Sequence, residues 1–257
     1  VEELFLLADR TRTNPAIEVR RWYKPIAKAW LQIQLERVGE IRLIVDSSKV
    51  GFSHQLLMVS LAYRCRAVPI AWTWVKYVRG HSSGIQQINL LKYVGSLLPK
   101  KAPVFVVGDS EFGSIAVLQQ LEQWHWFYVL RQKGNTGLWI DEQTDWQRME
   151  EFVQRAGQRV WCPKAYLTQH DIHPVSALIH WQIGEKQPWC LSTNLPDATL
   201  TLRYYRRRMW TEEMFGDFKK HGFDLEHTML RHASRLSRLT LAVVFLYVWL
   251  LSVGCRT

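Results

Sequence analysis

The stretch "EIRLIVD", residues 40–46, decides the fold: it is a short apolar run closed by an aspartate. Such a run suits a strand at the centre of a sheet, buried on both faces. The pattern returns in "PVFVVGD", residues 103–109, again closed by an aspartate. Between the two, "QLLMVSLAYR" and "AVPIAWTWV" read as further strands separated by a turn near residues 65–67, and "SSGIQQINLLKYVGSLLP" reads as a helix. "SIAVLQQLEQW" follows the second aspartate as another helix. Strands alternating with helices in this way predict an α/β core with mixed strand pairing. Upstream, residues 15–38 carry helical spacing at Ile17, Trp22, Ile26, Trp30 and Ile33, with Pro25 expected to divide the helix and Gly39 to stop it.

Beyond the core the texture changes. From 126 to 195 the short runs "WFYVLRQ", "RVWCPKAYLT", "SALIHWQI" and "PWCLSTN" are split by turn-rich pieces such as "KGNTG". This predicts a β-rich insertion, with a helical pattern only in "TDWQRMEEFVQRA". Helices resume near residue 197. The expected organisation is a helical N-terminal segment (1–38), the first part of the core (39–125), the β-rich insertion (126–195) and a helical completion of the core (196–257).

Composition narrows the partners. The 257 residues include 33 basic and 23 acidic side chains, a net charge of +10 that favours a polyanion, most commonly nucleic acid. Apolar residues at 47% are a globular value and exclude wholesale disorder. Cys65, Cys162, Cys190 and Cys255 lie far apart with no CxxC pair, so neither a zinc ribbon nor a disulfide framework is indicated and a reduced, cytoplasmic setting fits. His170 and His173 lack companions for a metal site and read as loop histidines. The opening "VEELFLLADRTRTNP" has neither a methionine nor a signal segment, which suits a fragment or a processed chain. "LTLAVVFLYVWLLSVG" (239–254) is shorter than the roughly 20 residues that cross a bilayer and is expected as a buried core helix, with a membrane-anchored protein as the competing reading.

Asp46 and Asp109 share a context, since each closes a buried strand, and strand ends are where open α/β sheets collect ligands and chemistry. An aspartate after a strand also forms turns and caps helices, so each alone is ambiguous while the pair points to a shared metal site. A third acid comes from "YYRRRMWTEEMFGDFKK", residues 204–220. At roughly 100° per residue, Tyr205, Arg208, Glu212 and Lys219 fall on one stripe about 60° wide, and Glu213 falls off it. A plain amphipathic helix with a charged outer face would look similar. Three carboxylates with cations beside them suit metal-assisted chemistry on a phosphate.

The spacing of these four residues, Y-x2-R-x3-E-x6-K, resembles the signature of the insertion-sequence-four group of bacterial DDE transposases. The resemblance extends over "IVDSSKV", "RAVPIAWTWV", "VVGDSEFGS" and "YVLRQKGN". It implies a ribonuclease H-like core interrupted by a β-rich insertion, with Asp46, Asp109 and Glu212 as a triad that binds two Mg2+ ions, for which Mn2+ would substitute. The implied reaction is nicking at a transposon end, hairpin formation by the freed 3′-hydroxyl, hairpin opening and strand transfer. Its partner would be double-stranded DNA, with the protein a homodimer on it and no membrane involved.

By the same likeness Tyr205, Arg208 and Lys219 would contact phosphates, and Arg131 and Lys133 in "LRQKGN" would hold DNA. Trp189 in "PWCLSTN" reads either as a platform for a flipped base or as ordinary core packing. Ser110 and Glu111 stand where many relatives have an arginine after the second aspartate, which removes a phosphate contact. The alternative is a truncated remnant that binds DNA and catalyses nothing.

Overall fold

The computed structural model describes residues 17–50, 54–76, 81–140, 145–168 and 170–254. Residues 1–16, Thr144 and Cys255, which entered the reading above, lie outside them.

The chain opens with helix α1 (Val19–Val38), closed by Gly39 in the left-handed region at φ 74°. Pro25 does not divide this helix. It sits on the solvent side near the exposed Arg21, whose carbonyl loses an amide partner but faces water, while Tyr23, Ala27 and Leu31 pack inward and hold the turns together. The buried stripe is therefore displaced from the expected one, and Trp22 and Ile17 are exposed. Gln34 shares the buried face because it extends the sheet: its Nε2 donates to the Ala62 carbonyl at 2.6 Å and its Oε1 accepts from the Arg42 amide at 2.8 Å.

Among the described residues ten strands form one mixed sheet. The first five are β1 (Ile41–Val50), β2 (His54–Tyr63), β3 (Arg66–Lys76), β4 (Val104–Gly108) and β5 (Phe127–Gln132). β1, β2 and β3 form an antiparallel meander, whereas β4 lies parallel to β1 and β5 parallel to β4. This mixed α/β arrangement is the ribonuclease H-like core that was expected. Arg64 and Cys65, both at positive φ, make the tight β2–β3 turn, the backbone a two-residue hairpin of this twist requires. Helices α2 (Gly84–Gly95) and α3 (Ile115–Gln123) are the connections that let β4 and β5 run parallel.

The strand at 127–132, grouped with the β-rich stretch by sequence texture, continues the core sheet through β4. Beyond it β10 (Trp189–Thr193), β9 (His173–His180), β8 (Arg159–Leu167), β6 (Gly137–Ile140) and β7 (Gln147–Arg148) extend the same sheet antiparallel. The helical pattern around residue 150 is realised only as a 3-10 turn, Met149–Phe152. His173 is a buried strand residue rather than a loop histidine, with Nε2 3.2 Å from Glu122 Oε1.

The segment 198–221 is broken rather than one helix. α4 (Ala198–Tyr205) passes into a 3-10 turn (Arg206–Met209), then α5 (Trp210–Gly216), then a π-helical turn (Asp217–His221). Helix α6 (Ala233–Gly254) is longer than its apolar core suggested and, at 22 residues, is long and apolar enough to cross a bilayer. It is not wholly buried. Leu236, Thr240, Leu241, Val243, Val244 and Tyr247 face inward, while Leu246, Trp249, Leu250 and Val253 are exposed. Its inner face is keyed to β3, where the indoles of Trp72 and Trp74 donate to Ser237 Oγ at 3.2 Å and Thr240 Oγ1 at 3.0 Å.

Candidate active site

Val45 and Gly108 are register partners at the end of the parallel β1–β4 pairing, so the next residues, Asp46 and Asp109, emerge side by side. Asp46 does not close its strand, as expected from the apolar run. β1 continues to Val50 because β2 still pairs with it, Asp46 opposite Met58. What ends at Asp46 is the contact with β4. Beside it the Val45 and Leu130 side chains fill the space over Gly108, where a Cβ would stand 2.8 Å from Val45 Cγ1 and 3.0 Å from Leu130 Cδ2.

Asp46 is buried, 6% exposed. Its Oδ1 accepts from the Ser47 amide at 2.8 Å, and its Oδ2 accepts from Thr211 Oγ1 at 2.6 Å and from the Arg208 guanidinium at 3.1 Å. Burial pushes its pKa up to about 6, although Arg208 and the Thr211 hydroxyl pull it down, and the neighbouring Asp109 carboxylate raises it further. Asp109 is raised by the same burial, opposed by the Glu111 amide, which donates to Oδ1 at 2.9 Å, and by Arg208. Two desolvated carboxylates side by side create a demand for positive charge.

Arg208 answers part of it. One guanidinium nitrogen reaches Asp46 and the other bonds Glu212 Oε1 at 2.7 Å, so the arginine bridges the two acids. The bridge exists because a 3-10 turn aims Arg208 at the strand ends while α5 turns Glu212 outward, 52% exposed against 14% for Arg208. All three acids supply hard carboxylate oxygen, the donor type a divalent cation such as Mg2+ takes. Among the described residues no three acidic, histidine or cysteine side chains yet close around one point.

The remaining sequence candidates divide into two groups. Tyr205 is 2% exposed and its hydroxyl has no hydrogen-bond partner among the described residues. Burial raises its pKa, and Arg208 and Arg131 oppose the rise, which places both cations on its side of the site. Trp189 is also buried, edge-on to Tyr205 at 5.2 Å, so its ring is packed rather than open to a base. Arg131, opposite Leu191 in the β5–β10 pairing, reaches the Pro188 carbonyl at 3.5 Å. Away from this group, Lys133 is exposed past the end of β5. Lys219 lies in the π turn, and its Nζ lies 3.6 Å from Glu226 Oε1.

Thr211 is the residue that the sequence reading missed. It precedes Glu212 in an amphipathic helix, and nothing in its spacing marks a buried hydroxyl that holds Asp46.

Comparison with known proteins places these residues in context. The family model described as the transposase DDE domain matches residues 73–249, a span that includes Asp109 and Glu212 and begins after Asp46. No curated protein matches the chain. Among solved structures the chain is similar to the piggyBac transposase in a synaptic complex with hairpin DNA, at 11% identity and a TM-score of 0.45, covering 80% of this chain and 47% of that one. It is also similar to the catalytic domain of Mos1 mariner transposase, at 14% identity and a TM-score of 0.24, covering 46% of this chain and 62% of that one. The catalytic domain of human Endonuclease V aligns at 10% identity and a TM-score of 0.30, over 81% of this chain and 100% of that one. The chain thus spans about half the length of the piggyBac protein it matches.

Proposed function

Because the chain belongs to the family of transposase DDE domains, we propose that it cuts and joins DNA by metal-dependent phosphoryl transfer, with Asp46, Asp109 and Glu212 as its acidic triad. The observation that carries this reading is the side-by-side emergence of Asp46 and Asp109 from paired strands, with Arg208 linking Asp46 to Glu212. The spacing from Tyr205 to Lys219 supports a place in the insertion-sequence-four group.

Mg2+, or Mn2+ in its place, would supply Lewis-acid charge to the attacking and leaving oxygens of the phosphodiester. Asp46 and Asp109 would hold it from the sheet and Glu212 from α5, once Arg208 gives up its bridge. The freed guanidinium is then available to a phosphate, for which its planar donor fork is suited. Tyr205 would offer its unpartnered hydroxyl to the same strand, with Arg131, Lys133 and Lys219 adding positive charge along it. Water adds to phosphorus and the bond to the 3′ oxygen breaks, which leaves a 5′-phosphate and a 3′-hydroxyl. In this reading that hydroxyl attacks a phosphorus of the opposite strand and expels the flanking strand's 3′ oxygen to form a hairpin, water reopens the hairpin to restore the 3′-hydroxyl, and that hydroxyl attacks a target phosphorus and expels the target's 3′ oxygen. Double-stranded DNA in the cytoplasm is the partner, and a homodimer would bring two ends together. Trp189 serves as a base platform only if DNA draws it from its packing against Tyr205.

The test is Mn2+-dependent nicking of supercoiled DNA by the purified chain. Loss of nicking in Asp46→Ala, Asp109→Ala and Glu212→Ala, each with a cooperative thermal transition retained, is the expected result. A wild-type chain that binds DNA with a steep salt dependence yet nicks under no divalent cation would leave the DNA-binding remnant in its place.

A further inference from the structure

Glu111 stands two residues past Asp109, and the proposed reaction does not use it. Its side chain is nevertheless where three segments meet. Oε2 accepts from the Ser47 hydroxyl of β1 at 2.5 Å, and Oε1 accepts from the Ser82 amide and hydroxyl, just before α2, at 2.7 and 2.5 Å. Gln55 Nε2 of β2 donates to both oxygens at 3.0–3.1 Å and to Ser47 Oγ at 2.6 Å. The main chain is tied as well, since the Glu111 carbonyl accepts from Gln87 Nε2 of α2 at 3.1 Å.

These bonds close a ring around the two aspartates. The Ser47 amide holds Asp46 Oδ1 and the Glu111 amide holds Asp109 Oδ1. The side chains of those same two donor residues bond each other. Asp46, Ser47, Glu111 and Asp109 thus form a closed brace across the β1–β4 junction. A carboxylate can accept about four hydrogen bonds, and the donors around Glu111 already occupy that capacity. It is engaged as an acceptor and not poised to ligate a cation.

We propose that Glu111 is a positioning residue that fixes the separation and orientation of the Asp46 and Asp109 carboxylates through hydrogen bonding. This rests on the acidic-triad reading of the same site. Where an arginine at Ser110 or Glu111 would serve a phosphate contact, this chain uses the position to stiffen its acids. Partners that orient metal ligands typically change metal affinity by about 10–100-fold when removed.

Glutamine offers a direct discrimination. In Glu111→Gln the carbonyl oxygen still serves Ser82, and the new amide, in the place of Oε2, donates to Ser47 Oγ and to an acceptor on the Gln55 side. Gln55 Oε1 is buried without a partner, so a flip of the Gln55 amide supplies one. The Ser47 hydroxyl turns to the flipped Gln55 oxygen, so the brace is kept with its Ser47 bond reversed and without the charge.

The experiment is an electron paramagnetic resonance titration of Mn2+ into wild type, Glu111→Ala and Glu111→Gln, with amide hydrogen exchange measured on the same metal-free proteins. Glu111→Ala is expected to weaken Mn2+ binding by about tenfold or more and to speed exchange at the Ser47 and Glu111 positions together, and Glu111→Gln to restore both. Equal losses in the alanine and glutamine variants would overturn the proposal in favour of a charge or ligand role, and an alanine variant identical to wild type would overturn it outright. Wild type that binds no Mn2+ would sink the acidic-triad reading, and the exchange data would then decide the brace alone.

Discussion

Thr211 donates its hydroxyl to Asp46 Oδ2 at 2.6 Å, and both groups are buried. This bond stabilises the ionised carboxylate and is one of the forces that hold its pKa to about 6 against burial. Thr211→Val keeps the shape and deletes the donor. Asp46 then protonates at higher pH, and the pH midpoint for Mn2+ binding is expected to move upward by about one unit. Titration of Mn2+ affinity between pH 5 and 9 checks it, and an unmoved midpoint would mean that Thr211 only packs.

Asp46 also makes the metal-free protein sensitive to pH. Its folded pKa, about 6, lies above the ordinary 3.8, so the native state binds the proton more tightly than the unfolded chain. The stability this confers is fully present below about pH 4 and is lost as pH rises through about 6, an effect of roughly 3 kcal/mol. Asp109, raised in the same direction, adds to it. Urea denaturation at pH 4.5 and 7.5 is expected to show about 2 kcal/mol of this decline in wild type and less in Asp46→Asn.

The Tyr205 hydroxyl separates stability from binding. It is buried with no partner, so Tyr205→Phe removes a desolvated polar group and is expected to change stability by less than about 0.5 kcal/mol, or to raise it. If the hydroxyl meets a phosphate, the same variant weakens DNA binding about fivefold, uniformly across sequences. A loss of stability of the size of a broken hydrogen bond, with DNA affinity intact, would assign the hydroxyl to Arg131 instead.

Gly108 leaves room for the Val45 and Leu130 side chains beside the two aspartates. Gly108→Ala drives a methyl into Val45 and Leu130, neither of which has free space in the packed sheet, and is expected to cost about 1–3 kcal/mol. Because relief comes from moving β1 or β5 away from β4, Mn2+ affinity should fall with it. Thermal melting and Mn2+ titration on the one variant test both effects.

How far the site was legible depends on how local its causes are. The nearness of Asp46 and Asp109 was visible because apolar runs announce central strands, although β1 runs on past Asp46, and the Arg208–Glu212 pair was visible because residues four apart in a helix are neighbours. The stripe that carried Tyr205 and Lys219 did not foresee the breaks in its helix. It assumed uniform helical rotation, whereas a 3-10 turn tightens and a π turn loosens the chain on either side of Glu212. Thr211 and Glu111 take their importance from partners 165 and 64 residues away, a separation no periodicity encodes. The burial of Gln34 escaped for the same reason, since a polar side chain is welcome in the core once distant backbone groups satisfy it.

The seam between β5 and β10 joins residues 129–132 to 190–193, so β5 must wait for its neighbour while about 60 further residues are made. At ribosomal speeds that interval lasts several seconds, with the amide and carbonyl row of an apolar strand bare to other nascent chains. Slower synthesis lengthens that exposure, so quick completion of β10, or a chaperone that covers β5 until then, is expected to raise the yield of folded protein.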